Sequence, residues 1–255
     1  ETGGKRVAVG SAEYLHLCDA VTGHRIAALG PHAKLVRTAA YSPDGKRIAS
    51  TQVYSIVTGE KIAPAKFLDA NAVQLWDGET GKLVTELRGH TSHVSSVLFS
   101  PDGSRLLSAS DYPDNTARLW DAATGRLLGI LAGHKNTVST IAFSSDGKRV
   151  VTSSMDQTAR LWDADSGQLL AVLSGHSGQV RHVAFSPNGT RIITDSEDAT
   201  LRLWHADSGE LIGVLRGHGN GFHWICQPVF TPDGSRLVSG STDGTVRIWD
   251  MNLIE

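Results

Sequence analysis

GHKNTVSTIAFSSDGKRVVTSSMDQTARLWDADSGQLLAVLS, residues 133–174, runs directly into GHSGQVRHVAFSPNGTRIITDSEDATLRLWHADSGELIGVLR, residues 175–216. Comparing 134–175 with 176–217, 22 of 42 positions are identical. A period of this length marks a supersecondary unit that cannot bury both of its faces alone and must pack between copies of itself. The same frame extends in both directions. Gly-His or Pro-His steps place histidines at 32, 90, 134, 176 and 218, and Trp-Asp or Trp-His steps place tryptophans at 76, 120, 162, 204 and 249. Each of the first four tryptophans lies 14 residues before the next histidine, as Cys18 does before His32, so Cys18 occupies the tryptophan slot of a worn first repeat.

Within a unit the runs VSTIAF, KRVVTS, TARLW and QLLAVL alternate with a period of two, are rich in β-branched residues, and are bounded by Gly, Pro, Asp or Ser. They predict four short antiparallel strands, lettered a to d. The turns at Asp44, Asp102, Asp146, Asn188 and Asp233 join a to b, and the Thr-Gly or Ser-Gly steps at 80, 124, 166 and 208 join c to d, with glycine taking the positive φ. Helical periodicity is absent.

Taken together, the Gly-His step, the PDG turn, an aspartate six residues before Trp, and Trp-Asp, all repeated in register, resemble the WD repeats of β-propellers. The resemblance covers essentially the whole chain. It implies an all-β propeller of about six four-stranded blades, incomplete at its ends: one domain over 1–255 with units near 4–31, 32–89, 90–133, 134–175, 176–217 and 218–255. It also implies a buried tetrad in each unit: His90, Ser108, Asp114, Trp120; His134, Thr152, Asp156, Trp162; His176, Thr194, Asp198, Trp204; and His218, Ser239, Asp243, Trp249. The 32–76 unit has His32, Ser50 and Trp76 but Ala70 at the aspartate position, leaving Asp69 or Asn71 to substitute. Ser, His and Asp in one unit evoke a hydrolase triad, but fourfold repetition assigns them to structure, because buried polar groups must be satisfied.

Counting strands gives three in the first unit, four in each of the next four and three in the last: 22 in all, two short of six complete blades. Open edges favour association, so the chain reads as a piece of a longer propeller, or as an architectural fragment of a larger multidomain signalling protein, with self-association through its incomplete end blades also open. A formal charge of −2 with interspersed signs gives no electrostatic footprint for nucleic acid or an anionic membrane, and no run of 18 apolar residues exists to span one. The two cysteines, Cys18 and Cys226, each fall in a predicted strand, which suits a reducing compartment or a fold without staples. A cytoplasmic location is the expectation. Secretion stays open, and with it glycosylation at Asn188-Gly189-Thr190.

Function should sit where the chain departs from its own repeat. From the strand b arginine to tryptophan takes 13 residues in three units, 15 from Arg105 to Trp120, and 29 from Arg47 to Trp76, so 16 residues are inserted within Thr51–Ala70. The last unit adds three residues around GNGFHWICQPVF. In a propeller the b-to-c and d-to-a connections share one face. The aromatics outside the repeated core slots, namely Tyr14, Tyr54, Phe67, Tyr112, Phe222 and Trp224, all map there. The candidate binding residues are Tyr54, Phe67, Tyr112, Phe222, His223 and Trp224, as anchors for a protein or peptide partner. The alternative is that Tyr54 and Phe67 only pack the insertion onto its blade. A second departure is a charge cluster private to 176–217, where Arg181 or His182 is expected to pair with Asp195 across the a–b hairpin.

The leading reading is therefore a non-catalytic binding scaffold, which the resemblance implies. The rival is a propeller enzyme with its site at the mouth of the central channel. It has only His93, Arg37, Arg181 and His223 as candidates, with no Gly-rich phosphate loop, nucleophile elbow or metal-ligand spacing. No cofactor is expected.

Overall fold

The computed structural model describes residues 6–10, 14–30, 35–53, 71–219 and 225–254. They form 22 strands in six antiparallel sheets, four of four strands and two of three, with a single 3-10 turn at Met251–Leu253. The all-β, blade-by-blade architecture of a β-propeller is borne out, and the expected strands appear within one or two residues of their predicted limits. The chain divides into two compact units, Glu1–Asp114 with Arg118–Leu128, and Asn115–Ala117 with Gly129–Glu255.

In the first unit, blade one holds β1 (Arg6–Gly10), β2 (Leu15–Asp19) and β3 (Arg25–Leu29), which correspond to b, c and d. Cys18 pairs opposite Val7 as Trp76 pairs opposite Ile48, so the worn tryptophan slot is confirmed in the register, and Cys18 is a free thiol. Blade two is β4 (Leu35–Tyr41), β5 (Arg47–Val53), β6 (Val73–Asp77) and β7 (Leu83–Leu87). Blade three follows as β8 (Val94–Phe99), β9 (Arg105–Ser110), β10 (Ala117–Asp121) and β11 (Leu127–Leu131). The second unit contains blade four, β12 (Val138–Phe143) to β15 (Leu169–Leu173) through β13 (Arg149–Ser154) and β14 (Ala159–Asp163). Blade five is β16 (Val180–Phe185), β17 (Arg191–Ser196), β18 (Thr200–His205) and β19 (Leu211–Arg216). Blade six is β20 (Ile225–Phe230), β21 (Arg236–Ser241) and β22 (Val246–Asp250), or a, b and c.

Alternation assigns each blade two apolar faces. The forward face of blade four, with Val151 and Leu161, meets the backward face of blade five, with Ile192 and Trp204, in one buried cluster. The forward face of blade five, with Ile193 and Leu203, meets Leu237 and Trp249 of blade six. In the first unit Leu17 packs on Ile48 and Trp76, and Leu75 on Leu106 and Trp120. The core thus lies between sheets, and the Leu-Trp pair in strand c is what puts one large apolar residue on each side.

Turn chemistry closes the hairpins. In blade four, Ser144 Oγ and the Lys148 N–H donate to the same oxygen of Asp146 (2.5 and 3.0 Å), while Gly147 takes φ 70°. The aspartate of Trp-Asp serves the next turn along the chain. Asp163 Oδ1 accepts from Ser166 N–H and Ser166 Oγ, both at 2.7 Å, and so caps the c–d turn. The a–b and c–d turns are then laced together, as by Ala164 N–H to the Lys148 carbonyl (2.9 Å) and Ala206 N–H to the Thr190 carbonyl (2.9 Å).

Candidate interaction surface

The tetrad is the device that joins the other set of connections. In blade four Trp162 Nε1–H donates to Thr152 Oγ1 (3.0 Å), Thr152 Oγ1 lies 2.8 Å from His134 Nε2, and His134 Nδ1 lies 2.9 Å from Asp156 Oδ2. A carboxylate can only accept, so Nδ1 carries the proton and Nε2 accepts from the threonine hydroxyl. Asp156 also accepts from the Lys135 N–H at the start of the d-to-a connection, and from Thr158 N–H and Oγ1 at the end of the b-to-c connection. One carboxylate therefore ties both connections to the core. Blades three and five repeat this with Ser108 and Thr194 as the hydroxyls.

The electrostatics follow from the geometry. Burial works against ionisation of Asp156 and Asp198, but hydrogen bonds from His134 and Thr158, and from His176 and Thr200, outweigh it and hold both carboxyls well below their usual range. Burial pushes the His90 imidazole below the usual histidine range against the pull of Asp114, which keeps the neutral form that the tetrad requires.

Two units depart from the expectation. In blade six the nearest atom to His218 Nδ1 is Thr245 Oγ1 (3.0 Å), with Asp243 Oδ2 at 3.4 Å; Asp243 instead accepts from Thr245 Oγ1 and from the Gly219 N–H. The aspartate there acts through a hydroxyl rather than directly. In blade two Trp76 keeps its bond to Ser50 Oγ (2.8 Å), while His32, Asp69 and Ala70 lie outside the described residues.

Of the six candidate binding residues, Tyr112 is described and is 67% exposed; Tyr54, Phe67, Phe222, His223 and Trp224 lie outside the described residues. Tyr112 sits on the b-to-c connection of blade three, which is pinned to the d-to-a connection on three sides. Ser92 Oγ donates to the Tyr112 carbonyl (3.0 Å), Thr91 N–H to Asp114 Oδ2 (2.6 Å), and Asp111 N–H to the His93 carbonyl (2.9 Å). Asp111 is also gripped by both terminal nitrogens of Arg37 from blade two, at 2.5 and 3.3 Å. Tyr14, just before β2, stacks on His16 with ring centroids 6.1 Å apart.

The private cluster of blade five resolves into two pairs. His182 stands directly opposite Asp195 in the register, its Nδ1 2.8 Å from Asp195 Oδ2, and its N–H donates to Asp195 Oδ1. Burial pushes the Asp195 carboxyl up, and the His182 bond opposes it. Arg181 instead binds Glu197 through Nε (2.9 Å) and a terminal nitrogen. The reason is a bulge between Val180 and His182 that carries Arg181 out of the alternation. Sequence reasoning missed Glu197 and Asp111, although the signal was there: Arg37 and Arg181 both lie five residues after their histidine, and Asp111 and Glu197 both lie 21 after theirs.

Comparison with known proteins agrees with this geometry. The WD domain, G-beta repeat family matches residues 81–121, 125–163, 167–205 and 209–250, each match running from the c–d turn of one blade to Trp-Asp or Trp-His of the next. These segments make up more than half of the chain, which therefore belongs to the WD-repeat family. The chain is 31% identical over 121 residues to guanine nucleotide-binding protein subunit beta-1 of Caenorhabditis briggsae, covering 36% of each chain. It is 46% identical over 44 residues to apoptotic protease-activating factor 1 of Homo sapiens, covering 17% of this chain and 4% of that one. With WD repeat-containing protein 25 of Mus musculus, identity is 28% over 116 residues, covering 35% and 22%. The chain thus spans 4% of the human relative's length and about a third of the nematode one's. WD-repeat proteins act as protein-interaction scaffolds.

Proposed function

We propose that this chain is a binding scaffold that receives a protein or peptide on the face made by its b-to-c and d-to-a connections. The observation that carries this reading is Tyr112: a large aromatic, two-thirds exposed, on a connection whose backbone is fixed by Ser92, Asp114 and Arg37. A rigidly held aromatic loses little entropy on binding, which is why such residues dominate interface energetics. The opposite face favours the same choice by contrast, being built from turns that repeat one hydrogen-bond pattern from blade to blade. No chemistry is assigned to the face.

The test compares partner capture by the parent chain, by Tyr112→Ala, and by Asp165→Ala on the opposite face, with melting followed in parallel. Truncation of a true anchor typically costs more than about 2 kcal/mol of binding, roughly thirtyfold in affinity. Loss of capture by Tyr112→Ala alone at unchanged melting temperature is the expected result. Equal capture by all three chains would remove this face from consideration.

A further inference from the structure

The arginine that begins strand b has surroundings in blade five unlike those of its counterparts. In blades one, two, four and six the residue paired opposite it in strand c is an aspartate: Asp19, Asp77, Asp163 and Asp250. In blade five Arg191 stands opposite His205. A second carboxylate is lost at the junction with the next blade. In blade four Arg149 Nη1 donates to the Ala206 carbonyl (2.8 Å) and to the Asp207 carboxylate (2.5 Å), and Nη2 donates to the Gly189 carbonyl (3.0 Å). Arg191 Nη1 donates to the matching Met251 carbonyl (2.7 Å), but Asn252 stands in the place of Asp207, and Arg191 makes no ion pair among the described residues. The third loss is in the a–b turn, where Asp146 gives way to Asn188. Its Oδ1 keeps the turn, accepting from Ser186 Oγ (2.7 Å), Thr190 N–H (3.1 Å) and Thr190 Oγ1 (2.9 Å). An amide carries N–H donors where a carboxylate has its second oxygen. The hydrogen-bond pattern of the turn thus survives while its charge does not.

These departures meet at a cavity. A crevice of about 220 Å³ lies between blades five and six, and Arg191, Asn188, Asn252, Phe230 and Asp233 are among the residues that line it. Its donors are the guanidinium and the two asparagine amides. Phe230 takes the slot of Phe185, whose ring centroid is 5.9 Å from the Arg149 guanidinium carbon, and gives the crevice an apolar wall. Asp233 is exposed on the rim. One of its oxygens accepts from Thr231 Oγ1 (2.6 Å) and Ser235 N–H (3.1 Å) and the other from Ser235 Oγ (2.8 Å), and it forms no ion pair with Arg191.

We infer that this crevice binds a carboxylate group supplied from outside the chain. At the blade-four junction the chain provides that group itself, since Asp207 seats a carboxylate on the arginine beside the same carbonyl contact. At the blade-five junction the arginine and its carbonyl contact are kept, the internal carboxylates are withdrawn, and a cavity remains. An entering carboxylate takes a charge-assisted hydrogen bond from Arg191 and amide donors from Asn188 and Asn252, with its alkyl stem against Phe230. A monoanion suits the site better than phosphate, because the Asp233 charge on the rim repels a second negative charge. The crevice is built on a–b and c–d turns, so it is separate from the b-to-c and d-to-a connections on which the proposed function rests.

The experiment titrates two probes into the full chain: propionate, which reproduces the side chain of glutamate, and the peptide acetyl-Gly-Glu-Gly-amide. The Nε–H resonances of Arg191 and Arg149 are followed by NMR. The Arg191 resonance is expected to shift and saturate, while that of Arg149, already paired with Asp207, stays in place. Tighter binding of the peptide assigns the site to an acidic side chain of a protein partner, and tighter binding of propionate assigns it to a free small acid. Asn252→Asp, at an exposed position, restores the carboxylate of the blade-four junction and should weaken propionate binding at least about tenfold at an unchanged melting temperature. Tyr112→Ala should bind propionate as the parent does. An Arg191 resonance unmoved by both probes, or moved equally by sodium chloride at the same ionic strength, would overturn the inference. So would full propionate affinity in Asn252→Asp, or inorganic phosphate binding more tightly than either carboxylate.

Discussion

Asp195 shows how one side chain can do two jobs that the rest of the molecule distributes. The strand a bulge of blades four and five displaces a residue and leaves the following N–H facing the partner strand. In blade four that residue is Thr140, and Ser153 Oγ accepts its N–H at 3.1 Å; in blade five it is His182, and Asp195 Oδ1 takes the same part. The second carboxylate oxygen then holds the imidazole. The private charge is thus an elaboration of a repeated cap, and a graded prediction follows. Asp195→Ala leaves the amide without an acceptor and should destabilise blade five by about 1 to 3 kcal/mol. Asp195→Ser restores the cap found in blade four, removes a buried carboxyl that must be compensated, and should recover most of that loss although the His182 bond is gone. Urea midpoints of the two variants check this, and equal losses would mean that the imidazole pair, not the amide, is what Asp195 supports.

At the scale of the element, most of each blade can be read from the repeat because backbone register and turn chemistry are fixed by a few residue types. The Gly-His step is an instance. Gly89, Gly133, Gly175 and Gly217 adopt φ between 131° and 150°, and a Cβ on any of them would strike the guanidinium of Arg118, Arg160, Arg202 or Arg247, two residues before each tryptophan. In the unit where Pro31 replaces the glycine, Gln74 replaces the arginine, so this packing leaves a trace in the sequence alone. What could not be read is where long side chains go once the strand is built. Arg181 could reach Asp195 or Glu197 from one backbone position, and only the bulge decides between them. Likewise Thr245 and Asp243 are both within reach of His218, and spacing does not rank them. The candidate site was legible only as a face and a set of aromatics, because connections without a repeat carry no register. Contact between the glycine and the guanidinium predicts coupling. Gly133→Ala should cost about 1 to 3 kcal/mol from strain and the clash with Arg160, whereas Arg160→Gln alone should cost little. The double variant should be less destabilised than the sum of the two, by about 0.5 kcal/mol or more. Strict additivity in chemical denaturation would show that backbone conformation alone requires the glycine.

For the molecule as a whole, His90, Asp156 and Asp198 make stability depend on pH in two separable steps. The first comes from histidine. An unfolded histidine takes up its proton near pH 6.5, whereas burial holds folded His90 neutral to lower pH. Below about pH 6.5 the unfolded state therefore binds more protons, and stability falls as pH drops until the folded value is passed. The second comes from the carboxylates. Hydrogen bonds keep folded Asp156 and Asp198 charged below the pH near 3.9 at which the unfolded groups protonate, so their contribution is complete above about pH 4 and is lost as pH falls further, through their folded values. Each group can add a slope of at most about 1.4 kcal/mol per pH unit. Urea midpoints measured from pH 7.5 to 2.5, a range chosen to span roughly both unfolded values, should fall gently below about pH 6.5 and more steeply below about pH 4. His90→Gln should flatten the upper limb and leave the lower one in place. Asp156→Asn with Asp198→Asn should do the reverse, at the cost of a lower plateau at neutral pH. An upper limb unchanged in His90→Gln would mean that the histidine is already protonated in the folded chain, and the direction of the Ser108 to His90 hydrogen bond would then have to be reversed.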